Sequence, residues 1–249
     1  MANITNPFGQ LRWCVLQAKA FVELNFKYAN YTRVLAPLPK ISGPAIVVGS
    51  APNPCRPENV NADWFRVSVN GSQGQFEIFG LPAPNLTVFQ PGINKSGAKK
   101  ETVRTELNGR STGHLVQLIR SPNSGGTVEF IASRNYTAGA VTELDYLYKA
   151  AVVAEVSGRY LLLGLTNRDT SNGMFATLLA LKLGASKVVM TGFSFKGGWH
   201  HASDLRGRRG HITADTLICR AIVKRGLPVY SSDPDFAARS GLRFWTGST

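Results

Sequence analysis

The last third of the chain alternates helix and strand signals, and that alternation restricts the fold more than any other feature. Thr170-Ser171-Asn172-Gly173 leads into the apolar helical run MFATLLALKLGA, and a short buried strand follows at 187–191. His211 then opens ITADTLICRAIVKRG, which runs into a second strand at 228–231. A helix between two short apolar strands is the unit from which parallel sheets are built. Upstream, 45–49 (AIVVG), 65–70 (FRVSVN) and 86–90 (LTVFQ) are further runs of the buried parallel kind, each ending in a small or amide residue. The expectation is an α/β fold: a single Rossmann-like domain with a mainly parallel sheet over 41–249, preceded by an amphipathic helical extension over 1–40. A chain of 249 residues, 43% of them hydrophobic, suffices for one full core.

Elsewhere the elements are fainter. Residues 91–126 are polar and glycine-rich, with Lys95, Lys99, Lys100, Arg104 and Arg110, and read as a connection with weak helices. A strand is expected within 126–133, a helix over 144–157 and a buried apolar segment at 160–165. In the extension, Leu11, Val15, Leu16, Ala20, Phe21, Leu24 and Phe26 recur at mostly helical spacing, with Arg12, Trp13, Lys19 and Lys27 among them. Such a helix either packs on the domain or lies in a membrane interface. There is no internal repeat.

The formal charge of +13 calls for an anionic partner. Zinc-finger spacing, ribonucleoprotein aromatics and a basic recognition helix are missing, so a specific nucleic-acid partner is not expected. An anionic membrane surface or an acidic glycan fits the charge better. Cys14, Cys55 and Cys219 have no motif spacing and read as reduced thiols. With no signal-peptide pattern and no run of about 20 apolar residues, the expected location is cytoplasmic, peripheral on the inner face of the membrane if the basic helix binds there.

Several strand ends and helix starts carry candidate chemistry. Gly49-Ser50-Ala51-Pro52-Asn53-Pro54 ends the first strand, where small residues let backbone N–H groups approach a phosphate or ribose. An ordinary turn would read the same way. Asn70 and Gln90 end the next two strands; Asn70-Gly71 is also a common turn signal. Thr170 and Ser171 suit a helix cap, and the N–H groups that follow could hold a carboxylate or phosphate. His211 suits a general base or a structural helix start. The loop after the 187–191 strand carries Lys196, Trp199, His200, His201, Asp204 and Arg206. Neither a metal-binding DxD pair nor a supported His/Asp metal cluster is found, since Asp233-Pro234-Asp235 reads as a turn and helix cap.

Taken together, the order of these elements from about 45 to 240, densest over 166–235, resembles the CMP-sialic-acid-dependent sialyltransferase superfamily, the bacterial enzymes in particular. The resemblance implies an inverting, metal-independent glycosyltransferase without a cofactor, moving sialic acid from CMP to a glycan hydroxyl. It makes His211 the general base and places the donor against Gly49, Ser50, Asn53, Asn70, Gln90, Thr170, Ser171, Asn172 and Gly173. Those families have an asparagine where Ser50 stands, and tyrosines in the loop after the strand. Here Lys196, Trp199, His200 and Arg206 take the loop positions as candidates for the leaving phosphate, on a mobile lid over about 192–210. Three readings compete with it: a CMP-Kdo-dependent transferase, a nucleotide-dependent pyrophosphokinase, and a non-catalytic glycan- or nucleic-acid-binding protein on a related fold.

Overall fold

A computed structural model describes residues 38–90, 98–119, 134–159, 169–196 and 210–248, with Leu11, Val15, Ala18, Lys19 and Val22 from the N-terminal region. Its centre is one eight-stranded sheet, every pair parallel. In chain order the elements are β1 (Gly43–Val48), β2 (Phe65–Val69), α1 (Gly74–Ile78), β3 (Leu86–Phe89), α2 (Ala98–Leu107), β4 (Ser111–Ile119) and β5 (Thr137–Asp145). There follow α3 (Tyr146–Ser157), α4 (Asn172–Lys182), β6 (Ala185–Thr191), α5 (Ile212–Lys224), β7 (Val229–Ser231), α6 (Pro234–Ser240) and β8 (Arg243–Phe244).

The strand order is β5-β4-β3-β2-β1-β6-β7-β8. The chain therefore builds outward from β1 to β5, then returns to lay β6 against the other side of β1. That reversal is a topological switch point, where open α/β sheets have their crevice beyond the strands' carboxyl ends.

Alternation along the central strands supplies both faces. Ala45 and Val47 of β1, with Val188 and Met190 of β6, pack against Val152 of α3, Phe175 and Leu179 of α4, and Ile218 and Ile222 of α5. Ile46, Val48 and Val189 face the other way, toward Trp64, Phe76, Phe79, Tyr230 and Trp245. The run AIVV can be apolar throughout because helices cover one face and an aromatic layer covers the other.

The expected fold class holds, and the sheet is parallel in all its pairings. Three strands were not expected: β4, β5 and the two-residue β8, which follows the last expected strand at 228–231. β4 and β5 fall where a polar connection and the lead-in to a helix were read, and the 144–157 helix starts at Tyr146. β5 is an edge strand whose burial is mostly slight, so its side chains TAGAVTELD lack the apolar alternation that marks a strand. The strand expected within 126–133 and the segment 160–165 lie outside the described residues.

Leu11, Val15, Ala18, Lys19 and Val22 are helical and exposed, Leu11 and Val22 at 63% and 64%. These apolar positions are not buried on the domain. No helix among the described residues is long and apolar enough to cross a membrane.

Candidate functional site

At the switch point the carboxyl ends of β1 and β6 are pinched together. Gly49 N–H donates to Thr191 O at 2.8 Å, and Ala51 N–H donates to Gly192 O at 2.9 Å. A Cβ on Gly49 would lie 2.4 Å from Gly192 O, and one on Gly192, at φ +70°, would lie 2.6 Å from Gly49 O. Both positions require glycine because backbone occupies the space a side chain would take. Gly173, in the first turn of α4, is likewise closed off: its Cβ would approach Phe193 Cε1 to 2.6 Å.

Beyond this pinch opens a cleft of about 910 Å³. Gly49 and Ser50 line it from β1, Asn70 from β2 and Gln90 from β3; Ser171, Asn172 and Gly173 contribute from α4, and His211 from α5. The structure thus gathers eight of the residues singled out in the sequence. Thr170 is buried just behind the wall. Asn53 is exposed in the turn beyond β1 and lies outside the lining. Lys196 is exposed too, with its ammonium 2.8 Å from Asp235 rather than in the cleft. Trp199, His200 and Arg206, with most of the expected lid, lie outside the described residues.

The strand ends are buttoned to one another by amides. Asn70 adopts φ +52°, a left-handed conformation that asparagine tolerates, and its Oδ1 accepts from Gln90 N–H at 2.8 Å. Gln90 O in turn accepts from Gln117 Nε2 at 3.1 Å. Asn70 therefore fixes the β2–β3 rim with one end of its carboxamide and still has its NH2 group to donate.

On the opposite wall, Ser171 caps α4, its Oγ accepting from Met174 N–H at 3.1 Å. Its own N–H does not face the cleft freely: it donates to Asp215 Oδ1 at 2.8 Å, and Thr170 Oγ1 donates to the same oxygen at 2.9 Å. Desolvation pushes the Asp215 carboxyl above its ordinary value, and the hydrogen bonds from Ser171 and Thr170 oppose that rise.

His211 occupies the start of α5 with no side-chain cap. Its Nδ1 lies 2.8 Å from Asp169 O. A carbonyl can only accept, so Nδ1 carries a proton, and a neutral ring then has its lone pair on Nε2. An imidazole held this way can remove a proton.

No family model matches the chain, and no curated protein matches its sequence. A solved structure similar to it is that of the monofunctional alpha-2,3-sialyltransferase Cst-I from Campylobacter jejuni. The two are 12% identical with a TM-score of 0.48, over 87% of this chain and 86% of that one.

Three charged cleft residues escaped sequence reading: Lys149, Asp169 and Asp215. Lys149 is buried on α3, an unusual place for a lysine, and burial pulls its ammonium below the ordinary value while Asp169 raises it. In the sequence it is one cation in an ordinary helix, whereas Asp215, a carboxylate one turn into a helix that begins with a candidate base, was a signal open to use. Among the described residues no group of three or more His, Cys, Asp or Glu is placed to hold a metal ion. Asp233 caps α6 through Phe236 N–H at 3.1 Å, as its turn-and-cap reading requires.

Proposed function

We propose that this protein is an inverting, metal-independent glycosyltransferase that moves an acidic sugar, sialic acid foremost, from a CMP-activated donor to a glycan hydroxyl. The observation that carries the reading is His211, held with Nδ1–H on a carbonyl, in the same cleft as the amide-lined ends of β1 to β3 and the start of α4.

In this reading Gly49, Ser50, Asn70 and Gln90 receive the nucleotide, and Ser171, Asn172 and Gly173 receive the sugar with its carboxylate. His211 Nε2 takes the proton of the acceptor hydroxyl as that oxygen forms its bond to the anomeric carbon. The bond from that carbon to the CMP phosphate oxygen breaks, and CMP leaves with the electron pair. Attack opposite the leaving group inverts the centre, and the proton stays on His211 until solvent removes it. Lys196, Trp199, His200 and Arg206 are the loop residues assigned to the departing phosphate. For Lys196 that requires parting from Asp235. The basic surplus and the exposed Leu11, Val15 and Val22 favour a peripheral role at an anionic membrane, which flotation with anionic and neutral vesicles tests.

The decisive measurement is heat stability with CMP, ATP plus magnesium, or RNA. A ligand at a hundred times its Kd adds about 2.7 kcal/mol. CMP alone should raise the melting temperature, and transfer from CMP-sialic acid should exceed transfer from CMP-Kdo and survive excess EDTA. Stabilisation by ATP with magnesium and not by CMP would replace this reading with the pyrophosphokinase class.

A further inference from the structure

Lys149 is a buried cation whose hydrogen bonds are all made within the protein. Its Nζ donates to Thr170 O at 2.6 Å, to Asp169 Oδ2 at 3.2 Å and to Asn172 Oδ1 at 3.2 Å. An ammonium has three N–H groups, so these contacts exhaust it and none is left for a substrate anion. What it holds is the segment 169–172. The other side of that segment meets α5 twice: Asp169 O accepts from His211 Nδ1, and Thr170 Oγ1 and Ser171 N–H donate to Asp215 Oδ1, one turn beyond His211.

We infer that Lys149 is a positioning residue for His211: by clamping 169–172 against α5 it keeps the Asp169 carbonyl on Nδ1 and the Nε2 lone pair in the cleft. Asp215 completes the clamp from the α5 side. Stability alone does not call for a lysine here, since apolar residues commonly replace buried ion pairs without loss. The catalytic purpose of the clamp rests on the function proposed above; the geometry of the clamp does not.

The test reads the imidazole directly. Protein labelled with 15N histidine is studied by two-bond proton–nitrogen correlation at about pH 8.5, above the ordinary histidine pKa. The signal of His211 is assigned by its loss in His211→Gln. The wild type should show His211 protonated on Nδ1 and bare on Nε2. In Lys149→Met that preference should be lost. Turnover should also fall about tenfold to a hundredfold, with donor KM within about twofold of wild type, the pattern of a misplaced base. Asp169→Ala keeps the carbonyl but removes one partner of the lysine, and should shift the signal in the same direction. Wild-type His211 protonated on Nε2 would overturn the inference, as would a cooperatively folded Lys149→Met with an unchanged signal. If Lys149→Met does not fold, the Asp169→Ala signal decides alone. A clamp that passes this test in a protein that ignores CMP would sink the proposed function and leave the inference standing.

Discussion

Two of the helices that open onto the cleft, α4 and α5, begin in opposite ways. α4 has a cap of its own: Ser171 caps it, Gly173 lets Phe193 pack against its first turn, and Gly173 to Ala180 are buried without a break, with Lys149 and Asp215 bonded to the residues at its start. α5 starts on His211 with no side-chain cap, and what holds that start comes from 169–171 across the cleft wall. The lesson is a division of labour. The helix that supplies the wall carries its own cap in addition to contacts between elements. The helix that supplies the proton acceptor has no side-chain cap and relies on contacts between elements, which can orient one ring nitrogen.

The sharpest way to break this contrast is at the ring itself. His211→Ala should lower transfer by about 10²–10⁴-fold, the usual loss for a positioned base, while the melting temperature and its increase with CMP stay near wild type. A variant that turns over normally would show that His211 only starts α5.

Gly173→Ala attacks the other helix. The new methyl meets the Phe193 ring, so either the ring moves into the cleft or the helix shifts, at a cost of about 1–3 kcal/mol in urea unfolding. Unaltered stability would mean that the packing of α4's first turn is looser than its glycine suggests.

Ser171→Ala separates cap from ligand. Loss of the cap should cost about 1 kcal/mol of stability. If Ser171 also meets the sugar carboxylate, the intact donor should weaken at least about tenfold more than CMP, which lacks that group. Equal weakening of both ligands confines Ser171 to capping.

The mildest effect should come from Asp215→Asn, read as stability against pH. Because the native carboxyl titrates above its ordinary value of 3.8, the folded protein keeps that proton longer than the unfolded chain does. The stabilisation is complete below the ordinary value and is lost as pH rises through the native one. Asparagine cannot ionise, so in urea unfolding the variant should gain on wild type as pH rises from the ordinary carboxylate value through the raised native one. Parallel curves would show that Asp215 titrates as it does in the unfolded chain.

The legibility of each part follows from the range of the forces that make it. β1, β2, β3, β6 and β7 could be read because burial on both faces demands unbroken apolar runs, and α4 and α5 because a polar start and an apolar stripe are local patterns. Strand ends were legible as candidate site positions for the same reason, since a parallel sheet puts its carboxyl ends together whatever the exact register. β5 was not, because an edge strand draws its hydrogen bonds from its neighbour and needs no apolar signature, whereas β4 does carry one at Leu115, Val116 and Leu118, set within a polar, glycine-rich stretch.

By itself, then, the sequence determined the α/β class, the helix starts at Ser171 and His211, and the amides that rim the cleft. Only the tertiary structure decided the backbone contact that makes Gly49 and Gly192 obligatory. It also decided the meeting of Lys149, Asp169 and Asp215 around the histidine. Those three lie 20 to 66 positions apart in the chain, and the Lys149 charge is tolerable away from water only because it finds partners that no local pattern announces.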